Sequence, residues 1–453
     1  MSHRFDPSIL RQYDIRGVVG ETLDEADARA LGRAYATMAG GTGRIAVGRD
    51  GRDHSPRLEA ALIEGLTAGG MDVLSVGMGP SPMLYYAAAT EDVMGGIQVT
   101  GSHNPGDYNG FKMLLEGKSV HGEAIQQLGR IAASGDWSEG AGSVEAIDIN
   151  AAYADRLVDD FEGGEFRIGW DAGNGAAGPL LEMLVERLPG EHFVLFSQVD
   201  GSFPHHHPDP TVEKNLAHLK DMVRENELDF GIAFDGDGDR IGAVDGQGRV
   251  IWGDQILMLL SGPVLEAHPG ATIIADVKAS RTFFEHVAAL GGEPLMWKTG
   301  HSLIKSKMAE TGAPLAGEMS GHIFFKHRWY GFDDALYAAV RLIEAVAASG
   351  KSLAQLRDEM PPAVSTPEMR FPVGDKDKFA IIEQLLANLR AAGADIDDTD
   401  GARVSTEDGW WLLRASNTQD VLAARAEASD EAGLERLVAQ IDQELGKLGV
   451  SRS

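Results

Sequence analysis

Phe230-Gly231-Ile232-Ala233-Phe234 runs without a break into Asp235-Gly236-Asp237-Gly238-Asp239-Arg240. A short apolar run stopped by a polar turn reads as a strand buried on both faces, as in a parallel sheet. Two other stretches end the same way. Gly96-Ile97-Gln98-Val99 leads into Thr100-Gly101-Ser102-His103-Asn104-Pro105, and Pro314-Leu315-Ala316 leads into Gly317-Glu318-Met319-Ser320-Gly321-His322.

Each of these strands closes a longer unit. A first apolar run ends near an aspartate: Arg44 to Val47 before Asp50, Ile168 to Trp170 before Asp171, and Ile273 to Ala275 before Asp276. An amphipathic stretch follows (Leu58 to Leu66, Leu180 to Leu188, Phe283 to Leu290), then a second apolar run (Val73 to Val76, Phe193 to Phe196, Pro294 to Trp297). Strand, helix, strand repeated three times predicts three related α/β domains. Ligands in open α/β sheets sit outside the carboxyl ends of the strands, so the three polar loops are expected to face one cleft. Beyond Pro361-Pro362, which break a helix, the pattern changes. Strand-like Met369 to Val373, a helical stretch from Phe379 to Arg390, Gly401 to Val404, Trp410 to Arg414 and a last helix from Glu431 to Leu448 predict a smaller α+β domain. The expected boundaries are 1–148, 149–249, 250–362 and 363–453.

The net charge of −29 repels phosphate backbones and argues against a nucleic-acid partner. A small anionic substrate would need a local basic pocket. The chain has no cysteine, which excludes disulfides, thiolate nucleophiles and cysteine-ligated metals and fits the cytoplasm. The first residues lack the apolar core of a signal peptide. Apolar runs such as Ile256 to Leu260 are too short to span a bilayer, so no membrane partner is expected.

The loops carry the chemistry. Asp235, Asp237 and Asp239, spaced by glycine, make a tight set of hard oxygen ligands suited to Mg²⁺, which also accepts phosphate oxygens. A calcium EF-hand is excluded, because Arg240 stands where its loop needs Gly and Gly246 where it needs Glu. Arg240 instead puts a cation beside the metal. Ser102 sits among small turn residues, where its hydroxyl can be exposed and backbone N–H groups can face an oxyanion. Lys112, inside the apolar run Phe111 to Leu115, is expected to face the cleft. Glu318, Ser320 and His322 alternate acceptors and donors that can grip sugar hydroxyls. Arg414, Ser416, Asn417 and Thr418, with Arg425 in reach, resemble a phosphate cradle. Gly117-Lys118-Ser119 is not a P-loop, because Lys112 stands where that pattern needs Gly. His205-His206-His207 lies between prolines and is read as a structural or solvent-exposed loop.

Together these motifs resemble the α-D-phosphohexomutase superfamily, and most closely its bacterial phosphomannomutase/phosphoglucomutase branch. The resemblance runs from Tyr13-Asp14-Ile15-Arg16-Gly17 through the serine loop with Asp107 to Lys112, Asp235 to Arg240, Asp276-Val277-Lys278, Trp297 to His301 and Gly317 to His322, to Arg414 to Thr418. It implies four domains around a central cleft and interconversion of hexose 6-phosphate and hexose 1-phosphate through a 1,6-bisphosphate. Ser102 would be the phosphoserine, its phosphate joining Asp235, Asp237 and Asp239 around Mg²⁺. Glu318, Ser320 and His322 would bind the sugar, with Met319 matching the mannose/glucose branch. Arg414, Ser416, Asn417 and Thr418 would hold the phosphate that is not reacting. Tyr13, Arg16, Arg240, Lys278 and His301 would line the cleft, and Lys112 and His322 would handle protons. The one departure is Gln419-Asp420, where the family commonly has Pro two residues after Thr418. The partners expected are small-molecule sugar phosphates and the state expected is a monomer. A phosphoglucosamine mutase, which commonly has Gln at the Met319 position, a metal-dependent phosphatase and a non-catalytic sensor are the other readings.

Overall fold

A computed structural model describes residues 2–374, 376–417 and 421–450. The threefold plan is drawn in the sheets. In the first domain the strand Arg44–Arg49 is flanked by parallel Asp72–Met78 on one side and parallel Gly95–Val99 on the other, with antiparallel Tyr108–Leu115 outside the latter. The second domain repeats this with Phe166–Asp171, Gly190–Leu195, Phe230–Phe234 and Ile241–Asp245. The third repeats it again with Thr272–Asp276, Glu293–Trp297, Leu315–Gly317 and Ile323–Phe325. The three polar loops therefore leave the same strand of each sheet, where it hands over to its antiparallel neighbour.

Local sequence explains the helices between them. Ser55–Ala68 begins with Pro56 in its first turn, buries Leu58, Leu62 and Leu66 at a spacing of four, and ends at Gly69; this is one apolar stripe against a sheet. Ala335–Ser349 is apolar on nearly every face, capped by Asp334 and ended by Gly350. Such a helix belongs in an interior, and it lies in a core cluster that runs from Tyr85 through Trp170 and Phe230 to Phe325. The first three domains thus share packing rather than meeting only at linkers.

The C-terminal sheet is antiparallel, in the order Val364–Ser365, Val421–Ala428, Gly409–Ala415, Ala402–Ser405, Asp395–Asp397, with Met369–Pro372 also on Val421–Ala428. Helices Lys378–Ala391 and Glu431–Lys447 complete a separate core of Phe371, Leu385, Trp411 and Leu437. Trp410 and Leu412 reach out of it to Val277 of the third domain. Two expected boundaries shift. Helix Gly178–Val185 ends before Leu188, and strand Gly190–Leu195 stops before Phe196, which turns at φ 53°.

Candidate active site

The first aspartate of each unit organises its own domain. Asp50, Asp171 and Asp276 are buried at the ends of the equivalent strands. Asp50 accepts the N–H of Gly101 at 2.9 Å, and Asp276 accepts the N–H of Met319 at 3.0 Å. In the second domain His206 takes the corresponding place, its Nε2 lying 2.9 Å from Asp171. The histidine run is therefore structural, with His205 stacked on Phe196 at 4.0 Å.

The three loops meet. Arg240 and His322 form a β-bridge between the second and third domains, and Ile241 N donates to Gly321 O at 3.0 Å. Gly321 is required there, because a Cβ would stand 2.4 Å from the Ile241 carbonyl and φ is +92°. Ser81 ties the first domain to the same place, donating from N to Asp237 O at 2.8 Å and from Oγ to its carboxylate at 2.5 Å. Ser102 Oγ donates to Asp235 Oδ2 at 3.0 Å, across 133 residues of sequence.

Asp235, Asp237 and Asp239 are each 0% exposed, with ligand oxygens within 4.8 Å of one another. Burial and the charges of Asp237 and Asp239 push the Asp235 carboxyl well above its ordinary range. Asp237 Oδ1 is buried and accepts no hydrogen bond among the described residues; Asp239 Oδ1 is buried with only the ring nitrogen Nε2 of His322 near it, at 3.2 Å. Three crowded, dry carboxylates with fewer donors than oxygens suit a divalent cation, so this set fits a metal ion. Lys112 balances part of the charge, its ammonium bridging Asp237 at 2.7 Å and Asp239 more closely. Burial alone would lower the Lys112 pKa, but the two carboxylates hold it well above its usual value. His322 lies between Asp239 at 3.2 Å and Glu318 at 2.7 Å. Burial pulls it down, and these carboxylates overcome that and set it at about 9.

Four phosphoglucomutase/phosphomannomutase domain families match the chain in order: alpha/beta/alpha domain I over residues 7–139, domain II over 149–248, domain III over 252–364 and the C-terminal domain over 368–444. A phosphomannomutase/phosphoglucomutase of Pseudomonas aeruginosa is 46% identical over 95% of this chain and 94% of its own. The chain belongs to the phosphoglucomutase/phosphomannomutase family. A phosphoglucomutase of Neisseria gonorrhoeae is 45% identical over 95% of each chain. The crystal structure of a family protein from Burkholderia thailandensis superposes with a TM-score of 0.92 at 45% identity, covering 98% of each chain. The reaction of this mutase is the interconversion of hexose phosphates.

Within this family frame, most of the residues expected from sequence converge. Arg16 donates to Gly101 O at 2.7 Å and pairs with Asp14, gripping the serine loop from below. Lys278 lies 3.4 Å from Glu368 and 3.9 Å from Asp276. His301 is buried, its ring 5.7 Å from that of His322. Tyr13 OH donates to Thr299 O at 2.5 Å and accepts from Asn417 Nδ2, which clasps the first, third and fourth domains together. Arg414 Nε donates to Asp400 at 2.9 Å, while its Nη2 is buried with no hydrogen-bond partner among the described residues. Ser416 is buried beside it, and Thr418, Gln419 and Asp420 lie outside the described residues.

Three expectations are corrected. Ser102 is not exposed: it is 2% accessible, because the metal-loop domain closes over it. The N–H groups of Gly101 and Ser102 are not left open to a ligand oxyanion, being taken inside the protein by the Asp50 carboxylate and by Thr100 Oγ1 at 2.8 Å. Arg425 does not join Arg414, because it donates to Lys278 O and lies 3.6 Å from Asp254, at the junction of the third and fourth domains. Glu318 and His322 bond each other, and Glu318 also accepts the N–H of Gly300 at 2.6 Å. Sequence reasoning also passed over Arg52 and Asp400. The charged run Gly48-Arg49-Asp50-Gly51-Arg52-Asp53 at a strand's carboxyl end was the available signal for the first.

Burial holds the Asp276 carboxyl up at about 6, against the pull of the Lys278 ammonium. An unfolded Asp titrates near about 4, so the folded chain binds more protons between the two values. The stability contributed by this group therefore falls as pH rises from about 4 to about 6. Asp276→Asn is expected to flatten that part of the curve in urea unfolding at a series of pH values. An unchanged slope would mean that the group keeps its charge down to the ordinary range.

Proposed function

We propose that this mutase interconverts the 1- and 6-phosphates of mannose and glucose through a phosphoserine at Ser102 and a hexose 1,6-bisphosphate, with Mg²⁺ at the aspartate loop. The observation that carries this reading is the meeting of Ser102 Oγ with Asp235 at 3.0 Å inside a dry, carboxylate-lined junction of three domains. A nucleophile, a cation site and two polar ligand loops at one point are what phosphoryl transfer by positioning and charge neutralisation needs.

In this reading the non-reacting phosphate rests on Arg414, Ser416, Asn417 and Thr418, and the Nη2 of Arg414, which has no hydrogen-bond partner among the described residues, is a donor for it. The sugar hydroxyls displace part of the Glu318–His322 pairing, with Ser320 beside it. Arg16, Arg240, Lys278, His301 and Tyr13 line the cleft. The phosphoryl group passes from Ser102 to the free sugar hydroxyl: the P–Oγ bond breaks, a P–O bond to the sugar forms, and the hydroxyl proton ends on Ser102 Oγ. The bisphosphate then turns over in the cleft, and the reverse transfer of its other phosphate restores phosphoserine. Asp235, Asp237 and Asp239 would hold a magnesium ion, which would supply neutralisation of the charge on the transferring group. Lys112 and His322 are both held in their charged forms. His322 is thus suited to give a proton to a departing oxygen, whereas Lys112 holds its proton more tightly and acts there chiefly as a fixed positive charge; neither is well placed to take a proton from an attacking hydroxyl.

The clasp of Tyr13, Thr299 and Asn417 supports a mutase over a phosphatase, since a closed cleft keeps water from the phosphoserine. The chain is proposed to act as a monomer on small-molecule sugar phosphates in the cytoplasm, which its lack of cysteine fits. Among the described residues no helix is long and apolar enough to cross a membrane.

Mannose 1-phosphate, glucose 1-phosphate and glucosamine 6-phosphate, each given with Mg²⁺ and a trace of hexose 1,6-bisphosphate, separate the substrates. The first two are expected to convert to their 6-phosphates at kcat/KM at least about tenfold above conversion of the third, the size of one misplaced polar contact. Preference for the amino sugar would assign the chain to phosphoglucosamine chemistry. Steady release of inorganic phosphate without stimulation by the bisphosphate would make it a phosphatase.

A further inference from the structure

Arg52 is one of the largest fully buried side chains, 1% exposed, and its partners are unusual. A buried arginine ordinarily sits on carboxylates. This one lies 3.3 Å from a single carboxylate, Asp50, and spends its fork on main-chain oxygens. Nη2 donates to Ser102 O at 2.7 Å and Asn104 O at 2.6 Å, and Nη1 donates to Tyr108 O at 3.1 Å and to Pro105 O. All four carbonyls belong to the serine loop and the start of the strand after it. Gly101 lets the arginine lie this close: a Cβ there would stand 2.3 Å from Arg52 Nε.

The loop needs such a hold. Ser102 has φ 48°, a left-handed conformation that is unfavourable for a residue other than glycine. A short turn containing Gly101 and an X-Pro bond has other conformations open to it. Four carbonyls fixed toward one guanidinium remove them. They also turn the negative ends of those peptide dipoles toward a cation and not toward the Ser102 oxygen, where a phosphate dianion would stand. The second domain closes the device. Phe203 lies over the guanidinium at 5.2 Å, and a Cβ on Gly201 would stand 2.7 Å from the Arg52 backbone.

We propose that Arg52 is the positioning residue of the serine loop. By holding the carbonyls of Ser102, Asn104, Pro105 and Tyr108 it fixes where Ser102 Oγ, and a phosphate carried on it, stands relative to the aspartate loop, with Phe203 of the second domain bracing it. The proposal rests on the reading of Ser102 as the phosphoryl carrier. Arg52 touches no substrate; it acts through the main chain. Lysine is no substitute, since a single ammonium with three donors cannot serve four carbonyls spread around a planar fork.

The test compares wild type, R52K, R52M, F203L and S102A, each incubated with glucose 1,6-bisphosphate and Mg²⁺. Intact mass reports phosphoserine and its loss by hydrolysis, in which water attacks phosphorus, the P–Oγ bond breaks, Ser102 regains its hydroxyl and inorganic phosphate leaves. Thermal unfolding identifies the folded variants. R52K and R52M are expected to lose about 10²-fold in kcat, the effect of a misplacement of about 1 Å. KM for glucose 1-phosphate should change by less than about threefold, and phosphoserine should be lost at least about tenfold faster, well below the unfolding temperature. F203L should fall between these and wild type. A folded R52K or R52M with wild-type kcat and phosphoserine lifetime overturns the proposal, as does an effect on KM alone. If neither arginine variant folds, F203L decides it, and an F203L indistinguishable from wild type overturns it. Wild type that takes up no phosphate, with S102A equally active, sinks the phosphoserine reading and leaves a distinct signature.

Discussion

Ser102→Ala is expected to lower kcat by at least about 10³-fold with KM for the sugar phosphate changed little, the pattern for removal of a nucleophile rather than of a binding group. The side chain is small, and its hydroxyl makes contacts only to Asp235 and His103 among the described residues. Its loss therefore leaves the loop held through main-chain bonds to Asp50, Arg16 and Arg52. Thermal stability should stay close to that of wild type, so inactivity could not be blamed on unfolding. The fourth-domain cradle at Arg414 is untouched, which is why KM should hold. The measurement is a coupled assay of glucose 1-phosphate conversion with intact mass of both proteins. An alanine variant that retains activity within about tenfold of wild type would remove Ser102 from the chemistry.

Lys112→Met should produce the largest change in stability, and its size should depend on metal. The Lys112 ammonium is the cation shared by Asp237 and Asp239, all three groups being buried. Without it, three dry carboxylates face one another. Removing one partner of a buried ion pair costs about 3–5 kcal/mol, and that loss is expected in urea unfolding with a chelator present. With Mg²⁺ added, the variant should recover more stability than wild type does, because the ion binds only the folded carboxylate set. The kcat should fall in either condition, since the ammonium also faces the reacting oxygens in the proposed site. Stability unmoved by Mg²⁺ in both wild type and the variant would falsify a divalent cation at these aspartates.

The two variants probe features that were unequally legible. That Asp235, Asp237 and Asp239 act together could be read from their spacing alone, because glycines between carboxylates leave them little else to do than converge. That Lys112 is their counter-ion could not, since the partners are more than a hundred residues apart and the side chain alone is compatible with cleft or solvent. The motif around Tyr13 points to a cleft residue, and the structure bonds it to Thr299 and Asn417. Its hydroxyl finds those partners only because the fourth domain lies against the first and third.

By itself the sequence determined the threefold α/β plan, the change of architecture after Pro361-Pro362 and the three polar loops. These are local: a strand buried on both faces must be apolar, must stop at a polar turn, and repeats its pattern when the unit repeats. Tertiary structure alone decided that Ser102 is buried, that its loop carbonyls belong to Arg52, that Arg425 serves a domain junction and not the cradle, and that Glu318 and His322 pair with each other. Each of these depends on which surfaces are pressed together. A side chain's solvent exposure, its charge state and the direction of its donors are set by neighbours that folding brings in from far along the chain.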